Sequence, residues 1–112
     1  MASSRFLDQL TRGPLLADGA MGTMLHARGA AFSGSFDELN LSQPGLVAEI
    51  HRAYIDAGAQ MIVTNTFGAN RYKLGPHGLA GRVADVNTAA VTLARRVVDA
   101  AFKPVLIAGD VG

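Results

Sequence analysis

A chain of 112 residues, 49% hydrophobic and 17% charged, has the composition of one globular domain rather than of a disordered segment. Its formal net charge of +1 and scattered arginines, with only Arg95 and Arg96 adjacent, exclude a basic stripe for nucleic acid or an anionic membrane. There is no cysteine, so disulfides, thiolate metal sites and a cysteine nucleophile are excluded within the chain. No apolar run approaches the roughly 20 residues that a membrane helix needs. The first eleven residues, interrupted by Arg5, Asp8 and Gln9, lack the continuous apolar centre of a signal peptide. The default is a soluble cytoplasmic protein.

In chain order, the first element is a weak helix carrying Phe6, Leu7 and Leu10, ended by Gly13. Residues 14–17 (PLLA) form a continuous apolar run and read as a buried strand. They lead into Asp18-Gly19-Ala20-Met21-Gly22-Thr23, where Met21, like Met24 after it, suits a core gap. Residues 29–37 are small and polar, a loop, and Phe36-Asp37-Glu38-Leu39-Asn40 reads as a solvated turn or a helix entry.

Ser42 is a good N-cap, and Pro44 sits in the first turn, where a missing N–H costs little. Leu46, Val47, Ile50, Ala53, Tyr54 and Ala57 then share one helical face, with His51 at its edge and Gly58 as the stop. Residues 61–63 (MIV) are a second strand, followed by Thr64-Asn65-Thr66-Phe67-Gly68-Ala69-Asn70 and a short helical turn over 70–74. A long helix spans about 82–102, with an apolar stripe of Val83, Val86, Ala90, Leu93, Ala94, Val97, Val98 and Ala101. Arg95, Arg96 and Lys103 lie late in it, where cations suit the helix dipole, and Pro104 limits it. Residues 105–108 (VLIA) are the third strand, followed by Gly109-Asp110-Val111-Gly112.

Alternating strands and helices predict an α/β fold with a parallel sheet and crossover connections. Parallel strands want helices on their faces and neighbours at their edges. The expectation is that the domain continues past Gly112; the alternative is a small domain, a non-catalytic binding or assembly module, completed by a partner chain.

Each strand ends in small, polar or acidic residues. In parallel α/β architectures that carboxyl end is where ligands bind. Asp18 and Gly19, then Asn65 and Thr66, then Asp110 are therefore the candidate site residues, brought to one rim. Asp18-Gly19 is also a common turn pair, and Asn65 and Thr66 could simply cap the following turn. An acid beside amide and hydroxyl donors is nonetheless a receptor for a zwitterionic amino acid, with Asp18 for the ammonium and Thr66 for the carboxylate. Gly19 and Gly22 are no phosphate loop, for want of its lysine and of the dinucleotide-site spacing. His26, His51 and His77 stand alone without a second ligand at helical spacing, so no metal site is expected from them.

The segments LLADGAMGTML, FDELNLSQPGLVAEIHRAYIDAGAQMIVTNTFGANRYKLGPHGL, RVADVNTAAVTLAR and IAGDVG, in this order, resemble the homocysteine S-methyltransferase family. That family includes the homocysteine module of cobalamin-dependent methionine synthases, betaine-dependent enzymes, and fusions with methylenetetrahydrofolate reductase. The resemblance runs from about residue 14 to 112. It implies a TIM-type (β/α)8 barrel of which residues 1–112 are the N-terminal part, about its first three strands. It implies methyl transfer to the zinc-bound thiolate of homocysteine to form methionine. Asp18 and Gly19 match the family's acidic-glycine pair that holds the amino-acid part of homocysteine. Asn65 and Thr66 match the loop lining the same pocket, and Asp110 falls in the turn after the third strand. The family's zinc ligands are cysteines, so zinc is expected in the full-length domain only and this chain alone is expected to be inactive. The methyl donor stays open, methyltetrahydrofolate with cobalamin being one candidate.

Overall fold

The computed structural model describes residues 4–30 and 34–112; three residues of the expected 29–37 loop lie outside these. The elements are helices α1 (Arg5–Arg12), α2 (Gly22–Ala27), α3 (Leu39–Ser42) and α4 (Pro44–Asp56), strand β1 (Met61–Val63), helices α5 (Arg71–Leu74) and α6 (Val83–Ala100), and strand β2 (Leu106–Ala108). Two 3-10 turns, Gly75–His77 and Ala80–Arg82, join α5 to α6.

β1 and β2 pair in parallel, with Met61 opposite Leu106 and Val63 opposite Ala108. The strand expected over residues 14–17 is reduced to one parallel bridge, Ala17 to Met61. Its backbone still joins the sheet edge: the Gln60 and Met61 amides both donate to the Leu16 carbonyl, and the Asp18 amide donates to the Met61 carbonyl. Pro14 has no N–H to give, and the Leu16 amide goes to the Gln60 side chain instead of to a neighbouring strand. The segment is thus a third, minimal strand beside β1.

The expectation of strands covered on both faces is also corrected. Ile62 is buried against Ile55, Ala94 and Val97 from the helical layer and Val105 just before β2. Met61, Val63, Leu106 and Ala108, on the alternate positions, are only half-buried. Helices α4 and α6 pack on each other and on the strands. A second cluster, Leu25, Ala30, Val47, Ile50 and Leu93, joins α2 to α4 and α6, with Met21 and Met24 packed against it as the sequence suggested. One helical layer over one sheet face leaves the carboxyl ends of the strands and the second face accessible.

Helix α4 starts later than expected. Gln43, not Ser42, precedes its first residue, and Ser42 closes α3 with its hydroxyl donating to Glu38 (2.8 Å). Gly58, at φ 112°, does end α4, and the Ala59 amide reaches back to the Tyr54 carbonyl across it. The buried arc of α4 comprises Val47, Ile50, His51 and Ile55. It is therefore rotated toward His51, which is fully buried rather than at the edge, because α4 is covered by α2, α3 and α6 as well as by β1. Helix α5 forms as expected, with the Asn70 side chain accepting from the Lys73 amide as its N-cap. Helix α6 buries Val86, Ala90, Leu93, Ala94 and Val97 of the expected stripe.

Candidate functional site

At the carboxyl ends of the strands lies a cleft of about 390 Å³. All five residues singled out from the sequence, Asp18, Gly19, Asn65, Thr66 and Asp110, line it, together with Phe36, Asp37, Thr64 and Phe67. Among the described residues, no lysine, arginine or histidine lines it. Three aspartates line one cavity without a counter-charge from the described residues.

Asp18 follows the minimal first strand. Its Oδ2 accepts from the Val63 amide (3.1 Å), so the end of β1 fixes the carboxylate. Burial pushes its pKa above the usual 3.8; the Val63 N–H pulls it back, and the charge of Asp110 adds to the rise. Gly19 packs closely on α4: a Cβ there would lie 3.0 Å from the Tyr54 hydroxyl, tighter than most real contacts. That hydroxyl donates to the Ala20 carbonyl (2.7 Å), so α4 clamps the turn that carries Asp18.

Asn65 is buried and its side-chain nitrogen is committed. Its Nδ2 donates to the Phe36 carbonyl (2.9 Å) and to Asn40 Oδ1 (3.1 Å). Asn40 Nδ2 in turn donates to the Asn65 carbonyl (2.8 Å) and the Val86 carbonyl (3.4 Å). Two amides thereby tie the loop after β1 to α3 and α6.

Thr66 belongs to a closed ring. Its hydroxyl donates to the Asp110 carbonyl (2.8 Å), so the 2.8 Å contact between Thr64 and Thr66 has Thr64 as donor. Thr64 Oγ1 accepts from the Asp110 amide (3.2 Å). The ring joins the loops after β1 and β2 and uses the single proton of Thr66 internally. The Asn65 and Phe67 amides take no acceptor among the described residues.

Sequence reasoning missed Asp37 and Phe36 as lining residues and Asn40 as the side chain that holds Asn65. Asp37 Oδ2 accepts from the Gly68 amide (3.0 Å), a partner 31 positions away. Burial pushes its pKa up, the Gly68 N–H opposes, and Asp110 adds to the rise. Nothing local in Phe36-Asp37-Glu38 signals a partner so distant in the chain. Among the described residues no group of three His, Cys, Asp or Glu could hold a metal ion.

The model of the family described as "Homocysteine S-methyltransferase" matches residues 15–112. The chain belongs to the homocysteine S-methyltransferase family. It is 38% identical to the methionine synthase of Mycobacterium tuberculosis and 35% identical to that of Mycobacterium leprae, over 88% of this chain and 9% of each relative. Among solved structures it resembles the homocysteine methyltransferase MmuM of Escherichia coli. Against the oxidized form the TM-score is 0.84 at 31% identity, covering 97% of this chain and 41% of that one. Against the metallated form the TM-score is 0.80, again at 31% identity, covering 94% and 40%. The chain thus spans less than half the length of each of these relatives. No helix among the described residues is long and apolar enough to cross a membrane.

Proposed function

We propose that this chain is the N-terminal part of a homocysteine-binding (β/α)8 barrel, and that its rim cleft takes the amino-acid end of homocysteine. The observation that carries this reading is Asp18. In a chain of this family, its carboxylate is pinned by the Val63 amide in a cleft with no cationic side chain among the described residues. Such a cleft suits an ammonium group, which brings three donors and the missing positive charge. Gly19 lets Tyr54 close on the turn, while Asn65, Thr66 and Asp110 hold the two neighbouring loops against each other. The free amides of Asn65 and Phe67 suit the ligand carboxylate. The half-buried sheet face of Met61, Val63, Leu106 and Ala108 is what the inner wall of a barrel segment presents by itself.

The residues here do not fit zinc in the way the family resemblance implies. The chain has no thiolate, and the titratable side chains that line the cleft among the described residues are aspartates, two of whose oxygens already accept backbone amides. Thiolate activation, the methyl donor and the methyl transfer itself therefore belong to other parts of the protein, and no chemical step is assigned to residues of this chain. The full-length protein would form methionine in the cytoplasm; methyltetrahydrofolate with cobalamin is one donor consistent with methionine synthases among the relatives.

The test is zinc content and homocysteine binding, measured side by side on residues 1–112 and on the complete natural protein that carries them. The expected result is one zinc and homocysteine binding in the complete protein and neither in the isolated chain. Tight zinc binding and methyl transfer by residues 1–112 alone would overturn the reading.

A further inference from the structure

Asp18 alone does not account for the cleft. Asp37 enters it from the loop before α3, a different part of the chain from the turn that carries Asp18. One of its oxygens is held by the Gly68 amide, and the other, Oδ1, receives no hydrogen bond from another described residue. Gly68 makes this placement possible: a Cβ there would sit 2.8 Å from Asp37 Oδ1, inside any real contact distance. Bare backbone thus carries one carboxylate oxygen, and Asp37 lines a cavity that Asp18 and Asp110 also line. A carboxylate placed there solely to cap a loop would leave like charges confronting each other. Burial raises the pKa of both Asp18 and Asp37, and Asp110 adds to each. Each feels the charge of Asp110, and a cation in the cleft relieves that repulsion, whereas an uncharged group does not.

We propose that Asp37 is a specificity-determining residue of this cleft, a second carboxylate facing the ligand's ammonium group together with Asp18, so that the site selects amino acids with a free α-amine. This rests on the amino-acid reading of the cleft. Asp37 then acts by charge, and its hydrogen bond to Gly68 serves to aim it.

The experiment uses the complete natural protein and two probes, L-homocysteine and 4-mercaptobutyrate, which keeps the thiol and carboxylate but lacks the amine. Asp37→Asn retains an oxygen acceptor for the Gly68 amide and removes the charge. Expected is a loss of about tenfold or more in homocysteine affinity, with 4-mercaptobutyrate bound as well as, or better than, by wild type. Gly68→Ala, which displaces the Asp37 carboxylate, is expected to shift the preference in the same direction. Equal losses for both probes in Asp37→Asn would mean a merely structural residue and would overturn the proposal. So would unchanged homocysteine binding in Asp37→Asn where Asp18→Asn weakens it. If neither substitution changes homocysteine binding, the amino-acid reading of the cleft itself falls, not only the role of Asp37.

Discussion

The described residues bury five polar side chains, Asn40, His51, Thr64, Asn65 and Thr66, and they fall into two regions with opposite physics. At the rim, Asn40 and Asn65 exchange hydrogen bonds with each other and with carbonyls of three segments, and Thr64 and Thr66 close a ring with the Asp110 backbone. In the helical layer, His51 is fully buried and neither ring nitrogen has a partner among the described residues. A satisfied buried network fixes geometry, and an unsatisfied group only costs. The hydrogen bonds of the rim therefore fix its geometry, whereas His51 gives α4 a sensitivity to acid.

The largest effect is expected from breaking the rim network. Asn40→Leu leaves the Asn65 side chain and the Asn65 and Val86 carbonyls without donors or acceptors they now use, and should cost about 4 kcal/mol by urea denaturation. Asn40→Ala and Asn65→Ala should be non-additive by more than about 1 kcal/mol in a double-mutant cycle. Simple additivity would dissolve the contrast between the two regions.

The next effect belongs to His51. Burial lowers its pKa from 6.5 to about 4. The folded state then binds fewer protons than the unfolded one, so this contribution is fully present above pH 6.5 and is lost as pH falls toward 4. The loss is on the order of 3 kcal/mol. Asp18 and Asp37 work in the other direction. Their raised pKa values penalise the folded state at neutral pH, and that penalty lifts as pH falls through them toward 3.8. The difference between wild type and His51→Leu isolates the histidine term: the wild type should lose stability relative to the variant across pH 6.5 to 4, and parallel pH curves would refute it.

Rim and helical layer also differ in how legible they are in the sequence. The order of elements and the helical stripe of α6 come from apolar periodicity, and the convergence of Asp18, Asn65, Thr66 and Asp110 on one rim comes from their positions just beyond the strands. Asp37 and Asn40 are illegible because their partners, Gly68, Asn65 and Val86, are distant in the chain. The burial of His51 escapes the sequence because a polar residue beside Arg52 suggests a helix edge, while α4 is in fact covered across a wider arc than two neighbours would give. The first strand is shorter than its composition suggests because an apolar run says nothing of how many ladder bonds it will make.

A smaller effect is expected at the ring. Thr66→Val deletes the donor to Asp110 and should cost about 1–2 kcal/mol, while Thr66→Ser should stay within about 0.5 kcal/mol of wild type. Equal losses in both would mean that the methyl group, not the hydroxyl, matters. The smallest stability effect is expected from Asp18→Asn, within about 1 kcal/mol of wild type, because the amide oxygen still accepts from Val63 and a repelling charge is gone.

That same substitution gives the most direct test of the rim as an amino-acid site. In calorimetric titration of the complete natural protein with L-homocysteine at pH 7, Asp18→Asn should weaken binding about tenfold or more while thermal unfolding stays close to wild type. Undiminished homocysteine affinity in a folded Asp18→Asn protein would contradict the account.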